Sequence, residues 1–218
     1  DQSSITNAIV FAVMSLAVIY AVVKTSEAVR QVPIHSARRG AESFLPLRLN
    51  QAGVIPIIFA VSFLLIPNFL TQAFSGSANQ ALAAFSRNLS AFLTPNGFWY
   101  NAIYFVLIVA FTYFYTAVVF NPEKIADDLK KSGNFIPGIR PGASTVAYLS
   151  HVLVRITLVG ASFLGLIAVL PSVISQATKI STLAVGGTGL LIVVSVILET
   201  MKTVDSQLYM HNYNKFLD

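Results

Sequence analysis

The sequence contains no cysteine, and its charged residues are few for a chain of 218. Without cysteine, a disulfide framework and a cysteine-rich metal site are both excluded. Charged residues make up 11% of the chain, against about 25% in an ordinary soluble domain, and hydrophobic residues make up 55%. This balance is too apolar for a soluble globular domain and predicts a membrane protein, which the lengths of the apolar runs described below assign to the all-α class.

Signals for catalysis and for charge-coupled transport are absent as well. His35, His151 and His211 lie far apart in the chain, and no HExxH motif or nucleophile elbow is present. No carboxylate falls in the middle of an apolar run, which argues against a proton-coupled pump that uses this chain alone. The sequence predicts that the chain is not an enzyme and holds no cofactor or metal, and any path that it lines is expected to be apolar.

Five long apolar runs account for the hydrophobic character of the chain. They cover about residues 5–23, 53–70, 98–120, 152–174 and 183–200. Each is about long enough to cross a hydrocarbon core of ~30 Å as a helix, whereas a β-barrel would show short alternating segments. The sequence therefore predicts a bundle of five transmembrane helices.

The second run is the least regular of the five. Pro56 and Pro67 interrupt it, and its residues Ile58, Ser62 and Leu65 follow one another on one helical face. A kinked helix with a polar stripe is more often a packing feature than a moving part. The same features make this run the best candidate for a gate, and both interpretations stay open.

Basic residues alternate between the connections. The connections at about 24–50 and 121–148 hold five and four Lys or Arg residues, whereas those at about 71–97 and 175–182 hold one each. By the positive-inside rule, the first pair is cytoplasmic and the second pair is outside, with the N-terminus outside and the C-terminus cytoplasmic. The chain starts DQSSITN, without Met or a basic leader and directly before a run, which predicts a piece of a longer protein.

The first basic connection has the pattern of a hairpin. Alternating residues at 32–36 lead to a turn at Arg38-Arg39-Gly40, and residues 44–49 are expected to form the returning arm. The connection is either a solvated basic loop that follows the orientation rule or a docking hairpin for an acidic partner. Both interpretations fit the sequence.

The second basic connection begins with signals for a short capped helix. Asn121 suits the N-cap and Pro122 suits the first helical position. Lys130 and Lys131 fall in the expected last turn, and Gly133 can supply the left-handed residue that stops the helix.

A stiff tip is predicted after that helix. Pro137-Gly138 and Pro141-Gly142 are two turn signals that enclose Arg140. Because Pro141 disfavours the α region for the residue before it, Arg140 is expected on an extended tip. A loop with these features is expected to serve a function rather than only to connect two spans.

The connection at about 71–97 has the pattern of an amphipathic helix. Its apolar residues recur at helical spacing, at Ala81, Leu82, Phe85, Leu89 and Phe92. This pattern predicts a helix that lies on the outer surface of the membrane. The next run opens with an aromatic belt of the kind found at membrane–water interfaces, formed by Phe98, Trp99 and Tyr100.

Four separated segments of the chain resemble the bacterial SecY family. They read RLNQAGVIPIIFA at 48–60, NPEKIADDLKKSGNFIPGIRPG at 121–142, RITLVGA at 155–161 and GGTGLLIVV at 186–194. The resemblance covers nearly the whole chain and implies the C-terminal half of a ten-helix channel, with its sixth to tenth spans. In this family the two halves form an inverted repeat that encloses the pore.

The resemblance also implies a function. The family's channel, the central subunit of the Sec translocase, conducts unfolded secretory proteins across the bacterial inner (cytoplasmic) membrane and releases membrane segments sideways into lipid. Its implied partners are SecE-like and SecG-like subunits, the motor ATPase SecA, the ribosome, signal-sequence-bearing preproteins, membrane lipid and the N-terminal half of the channel. The alternative is half of an inverted-repeat secondary transporter for a small solute, which kinked spans would also serve.

Single residues take roles from the same resemblance. Two positions match the apolar ring of the pore, Ile58 and Ile192. Four match the lateral gate, Asn50, Pro56, Ser62 and Pro67. Five belong to the connections that would dock SecA or the ribosome, Arg38, Arg39, Lys130, Lys131 and Arg140. The first of these connections is shorter than in known relatives and is condensed around its Arg-Arg-Gly turn.

Overall fold

The computed structural model describes residues 2–36, 42–75, 80–94 and 97–178, and eight separate positions between 189 and 204. These residues are mostly helical, in agreement with the predicted fold class. The helices are α1 (Gln2–Glu27), α2 (Ile55–Ser75), α3 (Gln80–Phe92), α4 (Phe98–Val119), α5 (Pro122–Lys131) and α6 (Ala143–Thr178). The strands are β1 (Val29–Ser36), β2 (Glu42–Arg48) and β3 (Asn134–Phe135).

Several helices are long and apolar enough to cross a membrane. Among the described residues the qualifying stretches are Ile55–Phe74, Phe98–Lys131 and Ala143–Gln176, which overlap the second, third and fourth predicted runs. The first predicted run falls in α1, where Leu16–Thr25 is a shorter apolar stretch. Most of the fifth predicted run lies outside the described residues.

Helix α6 extends well beyond the apolar run at 152–174. It has 36 residues and is therefore about 54 Å long at 1.5 Å per residue, well over the ~30 Å of a hydrocarbon core. Its first turns contain polar residues that hydropathy alone assigns to a connection. Part of the connection predicted at 121–148 is therefore helical.

Helix α2 departs from prediction at its first proline. The helix starts at Ile55, so Pro56 lies in its first turn, where the missing N–H loses no intrahelical hydrogen bond. The prediction that both prolines interrupt this run is therefore wrong for Pro56. Only Pro67 lies inside the helix.

The three strands form one antiparallel sheet in the order β2-β1-β3. Strands β1 and β2 pair along nearly their whole length, which confirms the predicted hairpin. Strand β3 pairs with the other edge of β1, with His35 opposite Phe135 and Ser36 opposite Asn134. This third strand, which the sequence did not predict, joins the second basic connection to the first.

The chain divides into two compact units. The sheet unit comprises Lys24–Ile66 and Ala102–Leu166, and the α3 unit comprises Asp1–Val23, Pro67–Asn101 and Ile167–Asp218. The core of the sheet unit is a cluster of six buried side chains, Val32, Leu47, Ile136, Leu149, Val152 and Ile156. They come from the hairpin, the residue after β3 and the first half of α6, and each contributes about 1.5–3 kcal/mol by burial. The sheet is thus packed on α6.

Candidate functional site

Helix α5 begins at a complete N-cap. Asn121 is extended, with φ −103° and ψ 101°, and its Oδ1 accepts a hydrogen bond from the backbone N–H of Lys124 at 3.1 Å. Pro122 occupies the first turn, and Glu123 lies at the positive end of the helix dipole. The predicted start of this helix is confirmed.

Helix α5 ends with its basic residues exposed to solvent. Lys130 and Lys131 lie in the last turn, where the helix dipole stabilises positive charge. Gly133 then adopts φ +69°, the left-handed conformation predicted for the stop. Ala126 is buried, and Ile125 packs against the core of the sheet unit. The lysines therefore lie at the end of a helix that is packed on the sheet unit.

Arg140 lies exposed between two tight turns. Gly138 and Gly142 have φ values of +79° and +108°, which glycine adopts without the strain that a Cβ would cause. The hydroxyl of Thr145 donates a hydrogen bond to the carbonyl oxygen of Arg140 at 3.0 Å. The backbone of the tip is thus held at the arginine itself, and the extended conformation of Arg140 stays a prediction.

The residues before this tip attach it to the core of the sheet unit. Ile136 is buried in that core, and Ile139 packs against it. The backbone N–H of Ile139 donates to the carbonyl oxygen of Ile136 at 3.0 Å and closes the first turn. The tip is therefore anchored on one side by apolar packing and on the other by the start of α6.

The stems of the two basic connections are strands of the same sheet. The ring centroids of His35 in β1 and Phe135 in β3 lie 6.2 Å apart. Arg38 and Arg39, at the predicted turn of the first connection, lie outside the described residues. The structure brings together the stems of two connections that the sequence predicted as separate loops.

The charge of the second connection is mixed along α5. Glu123, Lys124, Asp127 and Asp128 are exposed along the helix, and Lys130 and Lys131 follow them. Positive charge is therefore concentrated at the end of the helix, in the segment that leads to the tip.

Among the predicted gate and pore residues of α2, the one polar side chain forms its hydrogen bond within the helix. The Ser62 hydroxyl donates to the carbonyl oxygen of Ile58 at 2.8 Å, so this polar side chain needs no partner elsewhere. Ile58 is 42% exposed, and Pro67 is half-buried. The second predicted ring residue, Ile192, is a half-buried helical position.

The polar residue before α2 has one unsatisfied atom. The side-chain N–H of Asn50 donates to the carbonyl oxygen of Gly53 at 3.0 Å. Its Oδ1 is buried and accepts no hydrogen bond within the part of the chain that the structure describes. Pro56, the gate residue that follows, is fully buried.

Helix α6 makes two close contacts that sequence reasoning missed. A Cβ at Gly160 would overlap the carbonyl oxygen of Leu49, so only glycine lets the helix approach the end of the hairpin this closely. The Tyr113 hydroxyl of α4 donates to the carbonyl oxygen of Val154 at 3.1 Å. A glycine inside a helical run is the signal that could have found the first contact.

A protein-family model described as SecY matches residues 1–201 of the chain. The Protein translocase subunit SecY of Mycobacterium bovis is 44% identical over 216 residues, which cover 93% of this chain and 49% of that protein. The subunit of the same name from Chlamydia muridarum is 40% identical over 228 residues, covering 100% of this chain and 49% of the relative. The chain thus spans about half the length of these curated relatives.

Two solved structures are similar in fold. One, described as the structure of a protein conducting channel, has a TM-score of 0.58 and 19% identity, covering 88% of this chain and 47% of that chain. The other, of a SecY protein studied for its plug domain, has a TM-score of 0.57 and 18% identity, covering 88% of this chain and 48% of its own. At these identities they show the fold alone.

Proposed function

Because the chain belongs to the SecY family, we propose that it is one half of the central channel subunit of the Sec protein translocase. The complete channel conducts unfolded secretory proteins across the bacterial inner membrane and releases membrane segments sideways into lipid. In this role the chain is a conduit and a binding platform rather than an enzyme, and it uses no cofactor.

The observation that carries this proposal is the sheet that unites the two basic connections. Strands β1 and β3 belong to one sheet, and that sheet shares a buried core with α6. A motor or a ribosome that feeds a polypeptide into a channel needs a surface that does not yield. Stems that share a packed core supply such a surface, whereas two independent loops would not.

Docking is assigned to the basic residues of these two connections, Arg38, Arg39, Lys130, Lys131 and Arg140. An arginine presents a planar fork of N–H donors, which suits the carboxylates of a motor such as SecA and the phosphates of ribosomal RNA. The backbone of Arg140 is already held by two turns and by Thr145, so binding there orders little additional chain.

Helix α2 is assigned to the moving wall of the channel. Its lateral-gate residues are Asn50, Pro56, Ser62 and Pro67, and Ile58 joins Ile192 in the pore ring. An apolar side chain that is 42% exposed suits a residue that faces the other half of the channel, and a ring of such residues excludes ions by dewetting. A donor from the other half would also satisfy the buried Oδ1 of Asn50.

The remaining partners follow from the same role. They are SecE-like and SecG-like subunits, signal-sequence-bearing preproteins, the N-terminal half of the channel and membrane lipid. The two basic connections then lie in the cytoplasm, with the N-terminus of this chain outside and its C-terminus in the cytoplasm.

A secondary transporter for a small solute is the alternative. The helices α2, α4 and α6 hold no carboxylate over their described lengths, which removes the usual coupling group for protons. No contact in these helices favours the transporter over the channel.

Charge reversal at Arg140 tests the docking role. In the complete channel, Arg140→Glu replaces a charge-assisted contact, worth about 1.5–3 kcal/mol, with repulsion, and export driven by SecA should slow by about tenfold or more. Transport of a preprotein into inverted membrane vesicles measures this rate. Copurification of the other subunits should be unchanged.

The matched control is Arg87→Glu, which reverses another exposed arginine in the connection assigned to the opposite side of the membrane. This variant should export at the normal rate. Normal export by Arg140→Glu, or equal losses in both variants, would remove the role given to the tip.

A further inference from the structure

Helix α3 is tied on one side to the end of α2. Ser86 is 2% exposed, and its hydroxyl donates a hydrogen bond to the carbonyl oxygen of Thr71 at 2.7 Å. Leu93, two turns further along, is also buried. The side of α3 that carries these residues is therefore packed within the α3 unit.

The neighbouring flank of α3 exposes two large aromatic side chains. Phe85 and Phe92 are seven residues apart, which places them on the same flank two turns apart, and they are 58% and 46% exposed. Arg87 and Ala91 are exposed on the opposite flank. The helix is thus amphipathic in the structure, as the sequence predicts, but its large aromatics lie on an exposed flank beside its packed side.

The aromatic flank continues onto the first turn of α4. The ring of Phe92 stacks on that of Trp99 at a centroid distance of 5.4 Å, and Phe98 meets the same indole edge-to-face at 5.6 Å. Trp99 and Phe98 are themselves exposed. Four aromatic side chains therefore form one apolar surface, the aromatic shelf: Phe85, Phe92, Phe98 and Trp99.

The start of α4 sets the depth of this shelf. Helix α4 is long and apolar enough to cross a membrane and begins at Phe98, so Trp99 lies where such a helix meets the lipid headgroups. Directly before it, the N–H of Gly97 donates to the carbonyl oxygen of Thr94 at 2.8 Å. The stack on Trp99 therefore places Phe92 at the same depth.

We propose that α3 is an interfacial anchor whose aromatic shelf is inserted in the lipid headgroup layer. Lipid is the occupant because the shelf includes the first turn of α4, a helix long and apolar enough to cross a membrane, and because Trp and Phe are favoured at the boundary between lipid and water. Through Ser86 the anchor also fixes the end of α2 at that level. The proposal rests only on α4 crossing a membrane and does not depend on the channel role. If the anchor proposal fails, the channel role is therefore unaffected.

Spin labels on α3 test this placement in the complete channel in lipid vesicles. Phe85→Cys and Phe92→Cys place a nitroxide on the shelf, and Ala91→Cys places one on the opposite flank as the matched control. Power-saturation EPR compares collisions with oxygen, which concentrates in lipid, and with a nickel chelate, which stays in water. Oxygen should dominate severalfold at positions 85 and 92, and the nickel chelate should dominate at position 91.

Two outcomes overturn the anchor. Contact with the nickel chelate at positions 85 and 92, equal to that at 91, would mean that water covers the shelf. Shielding of both positions from both reagents would mean that another protein surface covers it.

A second measurement leaves the native shelf unchanged. The chain contains one tryptophan, Trp99, and its fluorescence can be followed once the tryptophans of the other half are replaced by phenylalanine. Lipids brominated near the headgroup should quench it more than lipids brominated near the chain ends. Stronger quenching by the deep bromines, or no quenching by either, would contradict the assigned depth.

Discussion

At the scale of single residues, glycine at position 160 decides how closely α6 approaches the hairpin. The backbone of Leu49 occupies the place where a Cβ would stand. Gly165, further along the same helix, makes a different contact, because its added Cβ would lie 2.7 Å from the Phe105 ring. A ring can rotate away from a new methyl group, whereas a carbonyl that is part of the backbone cannot.

Gly160→Ala should therefore destabilise the protein more than Gly165→Ala. Overpacking of this kind costs about 1–3 kcal/mol, and both variants gain the same helix propensity from alanine. Thermal unfolding of the purified complete channel in detergent measures the difference as a lower midpoint for Gly160→Ala. Equal midpoints for the two variants would show that the approach to Leu49 does not limit packing.

At the scale of elements, the shortest strand has the largest consequence for the site. Strand β3 has two residues, yet it joins the second basic connection to the hairpin of the first. Ile136, directly after it, is buried in the core of the sheet unit. The pairing is thus supported by apolar packing as well as by backbone hydrogen bonds, and the two connections behave as one element.

Paired cysteines should report this pairing. Ser36→Cys with Asn134→Cys should oxidise rapidly to a disulfide, because paired residues of antiparallel strands have Cα atoms about 4.5–5.5 Å apart. Gln31→Cys with Asn134→Cys is the control, since position 31 lies about 17 Å further along β1. Loss of alkylatable thiols after mild oxidation measures both. Equal oxidation of the two pairs would contradict the register.

At the scale of the whole molecule, the chain spans about half the length of its curated relatives. Many of its large apolar side chains are exposed, on α2 and α6 in particular. In a membrane such surfaces are covered by lipid or by other protein, and a channel half has both kinds of neighbour. The exposed Ile58 lies on one of these apolar surfaces.

The proposed orientation is tested by labelling from one side of the membrane. Arg38→Cys and Arg140→Cys in the complete channel should react with a membrane-impermeant maleimide added from the cytoplasmic side, because both connections are basic. Arg87→Cys should react only from the outside. The reverse labelling pattern would show that the chain has the opposite orientation in the membrane.

Local rules made much of the site predictable. Asn121, Pro122 and Gly133 are recognisable because capping depends on neighbours in sequence, and all three have the predicted geometry. The hairpin was visible for the same reason, since alternation along an arm reflects one buried face. The position of Arg140 between two turns was predicted from the two Pro-Gly pairs that flank it.

The features that the sequence did not predict depend on contacts between distant segments. Strand β3 is too short to show alternation, and its partner β1 is about a hundred residues earlier in the chain. The contact between Gly160 and Leu49 has the same character. The extent of α6 was missed because its first turns are polar, although helix formation there is favoured by packing of Leu149 on the sheet.

The two prolines of the hairpin have a consequence for the passage of other polypeptides. Pro46 lies in β2, a strand at the edge of the sheet, and Pro33 lies in β1, which β3 covers only at its end. A proline has no N–H to donate, and natural sheets use it to keep open edges from recruiting further strands. A channel that handles unfolded proteins is surrounded by extended chains with free backbone donors and acceptors. In the proposed channel role, the missing donors would let such chains slide past the sheet without being held by it.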